Sequence, residues 1–195
     1  PFEGDARNMS GPAYHLEVHN ARLVQGVRGQ AYEFNGKDSF LCTVGAERLH
    51  LGSYSIAGWA KVDVFEQHDR IVDLGWNKNN SLFIYVSSAN DGINMEVKNS
   101  YGQTMAVALP DFGQEWRFFC FSYDQLTGQL KKYVDGECVL PAKVVPGCSV
   151  SASCLYIGGR PLGNSLDRAL DEIKIWPYAL SDVDVRKEAN MRGTP

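Results

Sequence analysis

The chain has 195 residues, of which 44% are apolar, and it carries a formal net charge of −4. This length and apolar fraction fit one domain with a sizeable core, so we expect a single domain over residues 1–195. The charge gives no electrostatic reason to expect nucleic acid as a partner. No apolar run reaches transmembrane length, so direct membrane insertion is not expected either.

The first part of the chain alternates apolar and polar residues in short runs, which is typical of β-strands. Residues 14–18 predict an edge strand, and residues 26–36 predict a strand that ends in an Asn-Gly turn. Residues 39–44 and 53–64 predict the next two strands. Trp59 follows two small residues and is expected to fill a close approach between two sheets rather than to hold a ligand.

The middle of the chain contains the clearest predicted hairpin. Residues 65–70 are polar and predict a connection, and residues 71–75 predict a strand. Residues 81–88 and 93–99 both alternate, and an Asn-Asp-Gly turn lies between them. Residues 104–109 predict another strand, which Pro110 ends.

The last third predicts central strands and one helix. Residues 116–123 and 130–134 form a predicted strand pair, followed by strands over 155–161 and 169–176. The helix is predicted over 181–191, where Ser181 supplies the cap. About a dozen short strands and one helix indicate a two-sheet antiparallel sandwich. The side chains expected to be largely buried are Trp59, Phe118, Phe121, Ile157 and Ile175.

Several motifs resemble one family. The closing sequence ALDEIKIWPYALSDVDV, residues 169–185, resembles the end of laminin-G-like jelly-roll domains of the concanavalin A-like lectin/glucanase superfamily. GVRGQAYEFNG from Gly26, the Trp116 strand leading to YVDG, and LYIGGRP from Leu155 resemble earlier motifs of this family in the same order. The resemblance implies an all-β, two-sheet antiparallel jelly-roll sandwich with one short C-terminal helix.

The sequence does not predict an enzyme. Glucanases of the superfamily alternate acidic residues along one strand in an ExDxxE arrangement, which this chain lacks. Asp171 and Glu172 are adjacent, so they should face opposite sides of a strand. The four histidines, His15, His19, His50 and His68, lie in no recognisable catalytic or metal motif and are expected to face solvent. A remote glycoside hydrolase remains the least favoured alternative.

A calcium site is the most plausible metal site. Calcium prefers oxygen ligands, and domains of the resembled family often bind it. Asp5 and Asn8 in the N-terminal loop, together with Asp171 at the start of the last strand, are the candidate ligands. Asn8 stands where the family more often has Asp. The alternative is that Asp171 accepts hydrogen bonds from main-chain amides of that loop and no ion is bound.

Sugar binding requires an exposed aromatic ring and planar polar groups. Trp76 lies in an otherwise polar loop and is the strongest candidate, since a large ring there is unusual. Tyr101 is a further aromatic candidate. The predicted ligand-binding residues are Trp76, Asn77, Asn79, Tyr85, Arg160 and Asn164.

The five cysteines form no CxxC pair and show no zinc-ligand spacing. Cys42 and Cys120 lie in apolar strands, as buried hydrophobes or as disulfide partners. If the protein is secreted, a local bridge between Cys148 and Cys154 is the first expectation. Sequons begin at Asn8 and Asn79, which favours an extracellular or cell-surface setting.

These observations lead to one favoured function and one alternative. We expect a non-catalytic, lectin-like extracellular module that binds glycan or protein, assisted by calcium. The alternative is a structural or cell-adhesion domain without a small ligand. In either case the domain is expected to be part of a larger surface or matrix protein.

Overall fold

The computed structural model describes Ala6 and residues 15–43, 49–63, 68–75, 78–139, 141–161 and 163–191. Their elements, in chain order, are β1 Leu16–His19, β2 Arg22–Gln25, β3 Gln30–Asn35, β4 Phe40–Thr43, β5 Leu49–Leu51, β6 Tyr54–Val62, β7 Arg70–Leu74, β8 Ser81–Ser87, β9 Gly92–Lys98, β10 Thr104–Leu109, β11 Arg117–Asp124, β12 Gln129–Val134, β13 Glu137–Cys138, β14 Lys143–Val144, β15 Val150–Ala152, β16 Leu155–Ile157, β17 Asp167–Trp176 and α1 Asp182–Asn190.

The strands form two large antiparallel sheets. The seven-stranded sheet has the order β1-β4-β16-β7-β8-β9-β10. The eight-stranded sheet has the order β13-β12-β11-β6-β17-β3-β2, with β14 beside β12, and β15 pairs with β5 separately. The predicted jelly-roll sandwich with one short helix is confirmed, and β1 lies at a sheet edge as expected. The N-terminal loop and residues 192–195 lie outside the described residues, as does any contact between the termini.

The main core lies between the two large sheets. Leu41 and Ile84 enter it from the seven-stranded sheet, and Ile56 and Phe121 enter it from the eight-stranded sheet, all with no exposed surface. Because side chains alternate along a strand, the residues between them point to the outer faces of the sheets.

A second apolar cluster covers the outer face of the eight-stranded sheet. This helix-side cluster consists of Ala57, Trp59, Phe118, Cys120, Tyr133, Leu180, Val185 and Ala189. Trp59 is buried as predicted, at 2% exposure, but it does not fill the space between the sheets. Its neighbours along β6, Gly58 and Ala60, take the inward positions, so Trp59 packs beneath α1 instead.

Two buried serines hold the chain between β17 and α1. The Ser55 hydroxyl lies 3.0 Å from both the Ser122 hydroxyl and the Tyr178 carbonyl oxygen, and it accepts a hydrogen bond from the Leu180 N–H at 2.8 Å. The predicted helix is confirmed, and the Ser181 side chain accepts from the Asp184 N–H as its N-cap. These bonds satisfy polar groups that burial under the helix would otherwise leave unpaired.

Phe118, Phe121 and Ile157 are buried as predicted, but Ile175 is only half-buried. The reason is the pairing of β17. Strand β3 pairs with residues 167–170 only, so the described sheet flanks the later part of β17 on the β6 side alone. Register also shifts between Asp171 and Lys174, where Glu172 has a φ of 50°. At this bulge both Asp171 and Glu172 are buried, so simple alternation does not describe their surroundings.

The structure contradicts two predictions, one for the cysteines and one for Arg70. All five cysteines are free, so the expected bridge between Cys148 and Cys154 is absent. Cys148 packs into the main core at 1% exposure, whereas Cys154 is half-buried directly before β16 and outside that core. Arg70 does not belong to a polar connection, because it begins β7 and is 3% exposed.

Candidate functional site

The predicted site residues fall into three places within the described part of the chain. Asp5, Asn8, Trp76 and Asn77 lie outside it, so nothing is said of their surroundings. Tyr85, Arg160 and Asn164 lie around the start of β7, Asn79 lies near the other end of β8, and Asp171 lies in β17.

The connection between β16 and β17 places Arg160 beside Asn164. Pro161 and Gly163 provide the turn, and the Gly163 N–H donates to the Arg160 carbonyl oxygen at 3.2 Å. The Arg160 Nη2 donates to the Asn164 Oδ1 at 2.8 Å, so the side-chain pair closes the same turn. Both residues are half-buried. Two planar polar groups are therefore fixed together at the protein surface.

Two glycines fix the start of this turn. Gly158 has a φ of 72°, and a Cβ at this position would overlap the Phe34 ring. Gly159 has a φ of 155°, and a Cβ there would overlap the Ser39 carbonyl oxygen. The same carbonyl accepts a hydrogen bond from the Ser165 hydroxyl at 2.9 Å. The Gly-Gly pair before Arg160 thus permits a close backbone approach that a side chain would prevent.

Arg70 connects this turn to the outer face of the seven-stranded sheet. Its N–H donates to the Asn164 carbonyl oxygen at 2.9 Å, and it pairs with Tyr85 across β7 and β8. Its guanidinium lies 4.2 Å from the centroid of the Phe83 ring, and its Nε lies 3.4 Å from the Asp73 Oδ2. Burial lowers the pKa of Arg70, and the adjacent Asp73 carboxylate opposes that shift.

The Tyr85 ring is buried against other rings and does not provide a surface on which a sugar could stack. It is 7% exposed, with the Phe83 ring centroid at 5.4 Å and the His68 ring centroid at 5.1 Å. Its open ring face is therefore too small to stack on a sugar. Arg70, Asp73, Phe83 and Tyr85 form what we call the outer-face cluster, which is joined to the Arg160–Asn164 turn by the bond from the Arg70 N–H to the Asn164 carbonyl oxygen. Sequence reasoning identified only Tyr85 of these four.

Asn79 belongs to a separate location. It lies two residues before β8 begins at Ser81, and Tyr85 is four positions further along β8, roughly 13 Å at the rise of a strand. Its Nδ2 donates to the Ser100 carbonyl oxygen at 3.1 Å, which joins the β7–β8 loop to the β9–β10 loop. The next residue, Tyr101, is 84% exposed. An exposed aromatic ring thus lies next to the loop contact that Asn79 makes.

Asp171 is a buried carboxylate with main-chain partners. It has no exposed surface, and its Oδ2 accepts from the Arg28 N–H at 3.0 Å while its Oδ1 accepts from the Glu172 N–H at 2.7 Å. Burial raises the pKa of Asp171, and these two bonds oppose the shift. The described partners include the turn between β2 and β3, which sequence reasoning did not identify. Calcium binding by Asp171 with Asp5 and Asn8 remains a prediction.

The family follows from a sequence comparison. The family model Laminin_G_3, described as concanavalin A-like lectin/glucanases superfamily, matches residues 35–186. The chain therefore belongs to this superfamily. A search of curated proteins finds no significant match.

Solved structures share the fold. The binding domain of Paraclostridial Mosquitocidal Protein 1 has a TM-score of 0.73 at 18% identity, covering 94% of this chain and 49% of that one. Domain 4 of AbnA, a GH43 extracellular arabinanase from Geobacillus stearothermophilus in complex with arabinotriose, has a TM-score of 0.69 at 18% identity. The match covers 95% of this chain and 93% of that one. The CBM40 of Ruminococcus gnavus IT-sialidase, bound to α2,3 sialyllactose, has a TM-score of 0.57 at 15% identity. The match covers 72% of this chain and 84% of that one.

At these identities the likeness concerns the fold alone. The chain spans about half the length of the toxin binding domains that it matches. In the described residues, no helix combines the length and the apolar character needed to cross a membrane.

Proposed function

We propose that this domain is a non-catalytic module that recognises glycans outside the cell. The Arg160–Asn164 pair carries the proposal, because it holds two planar polar groups 2.8 Å apart at a half-buried position. Two of the similar structures contain a bound oligosaccharide, arabinotriose in one and α2,3 sialyllactose in the other. These complexes support sugar recognition as the use of this fold here.

The chemistry of the pair suits a sugar. The guanidinium of Arg160 offers several N–H donors in one plane, and the Asn164 amide offers both donors and an acceptor. Such groups bind hydroxyl pairs or a carboxylate on a sugar ring. The turn and its two glycines hold the pair in position before binding, which reduces the entropy lost when a ligand is immobilised.

The Tyr101 loop supplies the second contact region in this proposal. An 84% exposed ring can stack on the apolar face of a sugar, which the buried Tyr85 ring cannot do. Asn79 contacts this loop, and Trp76 and Asn77 stay ligand contacts predicted from the sequence alone. Calcium held by Asp5, Asn8 and Asp171 would assist by ordering the domain rather than by touching the sugar.

A glycan array with and without EDTA tests the proposal. We expect reproducible binding to a restricted set of glycans that the protein leaves uncleaved. Arg160→Ala and Asn164→Gly should each weaken that binding about tenfold or more, since each removes hydrogen bonds to the sugar. Glycine is chosen at Asn164 because its φ is 57°.

Arg186→Ala is the matched control, because it removes an exposed arginine on α1 that pairs with Glu137. Binding that survives both site variants, or that is lost equally in the control, would contradict the assignment of the site. A folded domain that binds no glycan but adheres to matrix protein would favour the adhesive alternative. Release of shorter glycans would instead favour a glycoside hydrolase.

A further inference from the structure

Three potential metal-binding side chains lie together at one edge of the seven-stranded sheet. Glu17 and His19 are two residues apart on β1 and therefore share a face, and Cys42 lies directly opposite Glu17 on β4. One ligand atom from each side chain lies within 4.8 Å of the other two. We propose that Glu17, His19 and Cys42 form a Zn²⁺ site.

The spacing of the ligand atoms fits a tetrahedral ion. The His19 Nε2 lies 3.6 Å from the Cys42 Sγ and 3.6 Å from the Glu17 Oε2. Ordinary zinc bond lengths place two ligand atoms about 3.3 to 3.6 Å apart in a tetrahedron. A separation of 3.6 Å between nitrogen and oxygen is too long for a normal hydrogen bond. Small side-chain movements would therefore bring all three atoms onto one ion.

The donor set selects the metal class. Thiolate and imidazole are ligands for zinc and similar transition metals, whereas calcium requires oxygen ligands. One sulfur, one nitrogen and one oxygen suit Zn²⁺, which is borderline in softness. The site therefore differs in chemistry from the calcium site predicted around Asp171.

The surroundings support binding. The His19 ring stacks on Phe40, with ring centroids 4.4 Å apart and an interplanar angle of 17°, which restrains the plane of the imidazole. The Glu17 and His19 side chains are 61% and 41% exposed, so an ion can enter without unfolding. Three protein ligands leave the fourth position for water or an external ligand.

Sequence reasoning missed this site because the ligands come from two strands. His19 and Cys42 are 23 positions apart, and only the β1–β4 register brings them together. Since β1 is the edge strand of its sheet and β4 is its neighbour there, a bound ion would join β1 more firmly to β4.

Metal titration under a phosphine reductant tests the proposal. The reductant prevents a disulfide between Cys42 and Cys154. Cys154 lies two residues before Tyr156, which is the strand partner of Cys42. We expect about one Zn²⁺ per chain and a rise in melting temperature with added Zn²⁺. Co²⁺ should show thiolate-to-metal charge-transfer absorption. Cys42→Ser should abolish that absorption, and His19→Ala and Glu17→Gln should each weaken Zn²⁺ binding at least about tenfold.

Cys138→Ser and His50→Ala are the matched controls, since they remove a half-buried cysteine and an exposed histidine from other strands. Both should bind Zn²⁺ like the parent. Glu17→Gln changes only an exposed side chain, so it keeps the test valid if another variant misfolds. Failure of the parent to bind Zn²⁺, or unchanged binding in Cys42→Ser and Glu17→Gln, would overturn the proposal. Glycan binding is measured separately and does not enter this test.

Discussion

Two aspartates show how the surroundings of a side chain decide the effect of its charge. Asp171 is fully buried, and burial raises its pKa, whereas hydrogen bonds from Lys131 and Tyr133 lower the pKa of Asp182. Asp182 accepts from the Lys131 Nζ at 2.9 Å and from the Tyr133 hydroxyl at 2.8 Å. The first carboxylate therefore favours folding when protonated, and the second favours folding when ionised.

Asp171→Asn should lower the free energy of unfolding by about 1–3 kcal/mol, because one amide donor at the bulge or at the β2–β3 turn loses its acceptor. Denaturant unfolding in calcium and in EDTA measures this loss. If calcium is bound as predicted, the variant also loses the melting-temperature rise that calcium gives the parent. A variant as stable as the parent in both buffers would show that Asp171 anchors nothing.

Asp182→Asn should reduce stability at neutral pH and have less effect in acid. The ordinary pKa is 3.8, and the folded value lies below it, so the stabilisation is present above about pH 4 and is lost as pH falls through the folded pKa. The measurement is the difference in unfolding free energy between parent and variant from pH 7 to pH 3. Asp91→Asn in the β8–β9 hairpin is the control. A difference that does not shrink in acid would contradict the assignment.

At the scale of elements, backbone turns place the site. Gly158→Ala should destabilise the fold by at least about 2 kcal/mol, since a Cβ overlaps the Phe34 ring at a positive φ. Gly113→Ala is a matched control, because its φ of 79° is similar and nothing lies within 4 Å of a Cβ there. The control should show the backbone strain alone, about 1–2 kcal/mol. Equal losses in the two variants would mean that the Phe34 contact is unimportant.

The docking of α1 depends on Trp59. Trp59→Ala should cost about 3–5 kcal/mol, because the ring fills the space between the eight-stranded sheet and the helix. Thermal and denaturant unfolding measure the loss. Relative to the parent, the variant should lose more hydrogen-exchange protection in α1 than in β8. A variant that melts within a degree or two of the parent would place the ring outside the packed cluster.

For the whole molecule, the sequence predicted where strands and the helix form better than it predicted which face of a sheet a side chain occupies. The β8–β9 hairpin and the capped helix depend on local signals, namely alternation, turn residues and Ser181, so both were predictable. The side of the sheet that Trp59 occupies depends on which residues face the other sheet, which alternation alone does not specify. The bulge at Glu172 and the very short strands β13 and β14 carry no comparable local signal.

The candidate site was predictable only in part, for the same reason. Arg160 and Asn164 lie in one turn, so residue type and spacing indicated both. Arg70 and Asp73 look like ordinary polar residues near a strand start, and only the pairing of β7 with β8 places them against aromatic rings. The contact of Glu17 with Cys42 likewise depends on a pairing between distant strands.

The helix-side cluster determines what intrinsic fluorescence will report. Of the four tryptophans in the chain, Trp59 belongs to this cluster and Trp116 and Trp176 pack against it. Emission should therefore follow the detachment of α1, whereas circular dichroism follows the sheets. If the helix detaches before the sandwich unfolds, the two signals will give different midpoints, and a fluorescence midpoint taken alone would understate the stability of the sandwich.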